Sequence, residues 1–175
     1  KPLSIVFSYF DEFRGPIPFM ITSDLAEGEV SQEVASLMDF NEEGTPFVHT
    51  LEKYSTINLI VEVPSSLSRG RLRTTMVSVV FEKSFKSPAV FEKPLKKFSK
   101  WLKQNTWDDL FFPDQFSEEE TQKSKSTLKN HLEDLEKQTE SKLDTIYDQD
   151  IDAPVETERQ ILEAQIRDQP TYLIT

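Results

Sequence analysis

The sequence predicts an α+β domain: a five-stranded, mostly antiparallel sheet in the order ββαβββα, flanked by helices and followed by a C-terminal helical extension. Three observations lead there. Five short segments alternate apolar and polar residues, the period of a strand with one covered face. Two stretches repeat apolar residues every three or four positions, the period of an amphipathic helix. Most of the strand-like segments lie too close together for the crossovers that parallel neighbours need, so antiparallel pairing follows.

Leu3, Ile5, Phe7 and Tyr9 line one face of a strand over residues 3–10. Gly15 and Pro16 then favour a turn, Gly through its permissive φ and Pro through its fixed one. Residues 17–22 return as the second strand of a hairpin. Val30, Val34, Leu37 and Met38 follow at i, i+4, i+7 and i+8, a helix that Gly44 should stop. Residues 46–52 and 56–63 read as strands, the second with Ile57, Leu59, Val61 and Val63 on one face. After a loop over 64–70, Thr75, Val77, Val79 and Phe81 align in a fifth strand over 74–81. Ser87 and Pro88 resemble a cap and first helical position, ahead of Phe91, Leu95, Phe98 and Leu102 at helical spacing. Pro94 either starts that helix proper or kinks it.

The remainder changes character. Residues 1–105 hold thirteen basic and thirteen acidic side chains, whereas 106–175 hold seven basic and eighteen acidic, the whole of the net charge of −11. Two regions are therefore expected: a sheet domain over 1–105 and an acidic helical extension over 106–175. Ser117 and Glu120 match a capping box at the start of a polar helix running to about Tyr147. Leu128, Leu132 and Leu135 form its short apolar seam, with Leu143 and Ile146 near the same side. A break over 148–154 and a last short helix through Val155, Leu162 and Ile166 complete the chain. Such a tail has too few apolar residues for a core of its own, so it is expected to fold back on the domain, its glutamates facing Lys93, Lys96, Lys97 and Lys100.

Composition excludes several chemistries. Without cysteine there is neither a disulfide framework nor a thiolate metal site. No apolar run approaches the ~20 residues that cross a bilayer, and no secretory signal is visible, so a cytoplasmic protein is expected, with contact at a membrane periphery as an alternative. His49 and His131 lie far apart, no G-x-S-x-G is present, and a nucleophilic triad cannot be drawn. The four isolated glycines make neither a P-loop nor a dinucleotide fingerprint, so no cofactor is expected. Asp148, Asp150 and Asp152 imitate a calcium loop, but Ala153 and Arg159 stand where Gly and Glu are needed. Asp11 and Glu12 read as a solubilising hairpin tip rather than an acid–base pair. One constellation remains: Arg69, Arg71 and Arg73 beside a strand, and Lys93, Lys96, Lys97 and Lys100 on the outer side of a helix, a basic interaction surface for phosphate, acidic lipid or acidic protein. Solvation, or neutralisation by the tail, explains the same lysines. Nucleic acid is disfavoured by the net charge.

The segment from Ser4 to Thr22, with its aspartate-to-Gly15-Pro16 hairpin, and the strand Met76 to Phe81 leading into Phe91 to Leu102 resemble the longin/roadblock superfamily, its archaeal members especially. The resemblance covers the first 105 residues or so. It implies small sheet domains that open with a hairpin, pass one helix, and continue with three strands and a closing helix. It implies a non-catalytic platform or scaffold for a small Ras-like GTPase or a trafficking complex, the partner being a GTPase, another subunit of the same type, or a second copy. No catalytic residue transfers. Two alternatives stand beside it: a small anionic-ligand-binding domain or enzyme using Arg69, Arg71 and Arg73, and a membrane-surface adaptor using the lysine-rich helix.

Overall fold

In the computed structural model, residues 3–40, 42–82 and 89–150 are described, 144–150 by their backbone alone. Strands β1 (Leu3–Asp11) and β2 (Gly15–Ile21) form the hairpin, and helix α1 (Glu29–Ser36) follows. Then come β3 (Phe47–Thr50), β4 (Ser55–Pro64) and β5 (Leu72–Phe81), helix α2 (Ala89–Lys103), a single turn α3 (Asp108–Phe111), and the long α4 (Glu118–Asp150). All pairings are antiparallel, in the order β2-β1-β5-β4-β3. The chain divides into two compact units, Lys1–Glu140 and Ser141–Thr175. Helix α4 continues to Asp150, through the first three residues of the break expected over 148–154; the rest of that break, the expected cap at Ser87 and Pro88 and the last short helix lie outside the described residues.

Register assigns the faces. Ile5, Val79 and Ile57 are Cα partners across three strands, so the odd-numbered residues of β1, β4 and β5 share one side. Over that side α2 brings Phe91 to stack on Phe81 at 6.0 Å, and α3 brings Phe111 to 5.1 Å from Tyr9. The other side carries Val6, Ile60, Met76 and Val80, packed with Val34 of α1 and with Leu37 and Met38 of the 3-10 turn that follows it. The three inner strands are thus buried on both faces. Each large apolar side chain taken from water contributes about 1.5–3 kcal/mol, which is why covering both faces holds so short a chain together.

Three local outcomes differ from expectation or refine it. The first helix ends at Ser36 and tightens into the 3-10 turn Leu37–Phe40. Gly44, φ 100°, instead sits in the next turn and donates its N–H to Ile60 O. Helix α2 already begins at Ala89 and runs through Pro94. Proline lacks the N–H that would bond Val90 O, and Val90 is exposed, so water can serve that carbonyl. The capping box at Ser117 forms as expected: Glu120 N–H donates to Ser117 Oγ at 3.2 Å, and Ser117 N–H to Glu120 Oε2 at 3.1 Å.

Within the first unit, α4 lies against the rest. Leu128, Leu132 and Leu135 are buried, and His131 stacks on Trp101 of α2 at 3.5 Å, the planes 8° apart. Thr22 Oγ1 donates to Glu136 Oε2, and Thr121 Oγ1 to Asp109 O. The expected lysine–glutamate pairing does not form: Lys96 pairs with Glu92 of its own helix at 2.6 Å, and Lys93, Lys97 and Lys100 have no ion pair among the described residues. Apolar and aromatic contact therefore docks the helix. Leu143 belongs to the second unit, and the side chain of Ile146 lies outside the described residues.

Candidate functional site: the hairpin end and the edges of the sheet

Two turns meet at one end of the sheet. In the β1–β2 turn, the Asp11 carboxylate accepts N–H bonds from Phe13 at 2.9 Å and Arg14 at 3.0 Å, and Arg14 Nη2 lies 3.5 Å away. The Phe13 N–H foremost holds this carboxyl below its ordinary value; burial opposes it, and the N–H and guanidinium of Arg14 add to the lowering. Opposite lies the β4–β5 loop, fixed from beneath by Asp108 of α3. That carboxylate accepts from Ser65 Oγ, from Ser66 N–H at 3.1 Å and from Ser66 Oγ at 3.0 Å. The turns are joined directly, because Arg69 N–H donates to Glu12 Oε1 at 3.2 Å.

The expected basic surface does not form a single patch. Arg69 and Arg71 are exposed on this loop, and Arg71 holds a left-handed φ of 61° that favours glycine. Arg73 is largely buried, only 6 % exposed. Its Nε donates to Ser68 Oγ at 3.1 Å and its Nη1 to Phe10 O at 2.9 Å. Its guanidinium carbon lies 4.8–5.7 Å from the ring centroids of Phe112, Phe111 and Tyr9. Flat, delocalised and weakly hydrated, a guanidinium suits that aromatic box. Lys93, Lys96, Lys97 and Lys100 are exposed on α2, where Lys97 borders a 260 Å³ groove between α2 and α4. Arg69 borders a different depression of 470 Å³, with Phe10, Glu12 and Leu72.

What the sequence reading missed is apolar. Phe13 stands 97 % exposed at the tip of the hairpin, with Phe10, Leu67 and Leu72 partly exposed around it. A Phe between Glu12 and Arg14 in a turn was a usable signal, since turns favour small polar residues.

The two edges of the sheet are unlike. Pro16 and Pro18 face Phe10 and Ser8, and neither can donate to β1, so the positions of their missing N–H groups face outward. The outward carbonyl of Pro16 accepts from Gln32 Nε2 of α1 at 3.3 Å. At the far edge, Leu51 N–H donates to Tyr54 O, which fixes the ladder phase. His49 and Phe47 then bond toward β4, and the main-chain groups of Val48 and Thr50 point away from it. No strand among the described residues pairs with that edge.

The acidic and histidine side chains weighed in the sequence stand apart from one another. Asp11 is engaged in its turn and Glu12 with Arg69; His49 is exposed on β3 and His131 stacks on Trp101. Among the described residues no three acidic, His or Cys side chains gather to hold a metal, and no helix is long and apolar enough to cross a membrane. No family model matches the sequence, and no curated protein does.

Proposed function

We propose that this chain is a non-catalytic protein-interaction module, a longin/roadblock-like platform that receives a small Ras-like GTPase or a second subunit of its own type in the cytoplasm. One observation carries the reading: the outward main-chain groups of Val48 and Thr50 on β3, an edge unpaired among the described residues, on a sheet whose other edge carries prolines at 16 and 18. Such an edge accepts an added strand, with backbone hydrogen bonds supplying affinity. The element order ββαβββα and the two-sided burial of β1, β4 and β5 support it, because they give the edge a rigid backing.

The test uses Val48→Pro. Its N–H faces outward, so proline removes a donor to a partner strand and leaves the β3–β4 ladder intact. Affinity capture from the source cell should recover a GTPase or a sheet-domain subunit with the natural chain and lose it with V48P at unchanged thermal stability. Equal recovery by both, or recovery of neither class of partner, refutes the reading.

A further inference from the structure

The hairpin end exposes apolar side chains to solvent. Phe13 projects from the turn with 97 % of its surface open, and Phe10, Leu67 and Leu72 are partly exposed on the same turns and the strand ends beside them. Arg14, Arg69 and Arg71 are exposed on the same two turns. The carboxylates there keep their charge but are tied into the fold, Asp11 by two N–H groups and Arg14, Glu12 by the Arg69 N–H, and Asp108 by Ser65 and Ser66; on the two turns the three exposed arginines outnumber the two acids Asp11 and Glu12. The turns are held rigidly by these bonds and by Arg73, which ties the Phe10 carbonyl to Ser68. Exposure of Phe13 is thus built in rather than a product of a loose loop.

We propose that this end of the sheet docks on an anionic lipid bilayer, with Phe13 entering the interface, Phe10, Leu67 and Leu72 at its rim, and Arg14, Arg69 and Arg71 meeting headgroup phosphates. A bilayer suits the shape better than a protein does. Four apolar side chains on two turns and the strand ends beside them are few for the broad face, on the order of 800 Å² per partner, that stable protein complexes use. A fluid interface needs no matching pocket, and aromatic rings beside arginines are what it accommodates. This surface lies apart from the β3 edge, so membrane docking and protein capture are separable.

Flotation of the full chain at low salt, with vesicles of phosphatidylcholine alone or mixed with phosphatidylserine, tests the proposal. The chain should float with the mixed vesicles and remain behind with the neutral ones. Phe13→Ser should lower partitioning roughly tenfold, Phe13→Trp should preserve it, and Arg69→Ala with Arg71→Ala should lower it while steepening no fold defect, as both are exposed. V48P should float normally, which separates this outcome from failure of the interaction reading. Absence of flotation overturns the proposal. So does flotation indifferent to Phe13→Ser, or flotation lost only when Lys93 and Lys97 are replaced. Loss of protein capture by Phe13→Ser, with no vesicle binding by the natural chain, would make the tip a protein contact instead.

Discussion

Arg73 and Arg69 are four residues apart and have opposite fates. From one guanidinium Arg73 bonds Ser68 and the Phe10 carbonyl and lies against three rings, while the side chain of Arg69 stays in water. Truncating Arg73 leaves the Phe10 carbonyl to find another partner, leaves the Ser68 hydroxyl with Ser65 Oγ alone, and opens the aromatic box. Arg73→Ala is expected to destabilise by about 3 kcal/mol in urea unfolding, and Arg69→Ala by less than about 0.5 kcal/mol. Similar losses for the two would show that the box contributes nothing. The difference was legible. The alternation that aligned Thr75, Val77, Val79 and Phe81 on the buried face assigns Arg73 to that same face by parity. Charge suggested a surface instead, because an arginine is seldom expected inside. The serines of the opposite face misled in the other direction. Ser4, Ser8 and Ser78 occupy the polar phase of the alternation yet are fully buried, being small enough to lie within the covered face.

Elements with a long period were easier to read than short ones. The five strands were foreseen to within a few residues, and the capping box at Ser117 fixed the start of α4. The turn α3 was not foreseen, since four residues are too few to display a helical repeat, although it supplies Asp108 and Phe111 to the hairpin end. Helix α4 itself makes a sharp expectation. Its stretch to Glu140 is polar apart from Leu128, Leu132 and Leu135, all buried. Leu132→Ala should therefore destabilise the whole unit by about 2–5 kcal/mol, and hydrogen exchange should quicken in α2 as well as α4. If α4 were held only by its own backbone bonds, the substitution would leave α2 amides unchanged. His131→Ala, which removes the ring over Trp101, should cost less, about 1 kcal/mol.

For the molecule as a whole, acid should loosen the fold at two described points. Hydrogen bonding to the Lys103 ammonium, 2.8 Å from Glu43 Oε1, holds that carboxyl below its ordinary value of 4.5, partly opposed by burial and helped by the Glu62 N–H. Asp11 is lowered from 3.8 by its turn. A carboxyl depressed in the folded state stabilises it above the unfolded value, and that contribution disappears as pH falls through the folded value. Glu27 has the opposite sign: its hydrogen bond with Asp24 raises it, so protonation there favours the folded form. Unfolding midpoints should accordingly drop below about pH 4.5, and Glu43→Gln should flatten the decline. An unchanged profile in E43Q would show that the Lys103 pair is too well solvated to matter.

The asymmetry between β2 and β3 limits what this sheet can build. Growth of a ribbon requires two adhesive sides on every member, one to join and one to pass the pattern on. Among the described residues, prolines 16 and 18 remove outward donors from β2, while β3 keeps its outward donors and acceptors. Union of two copies through β3 would use that side up in both, which works against a growing fibre.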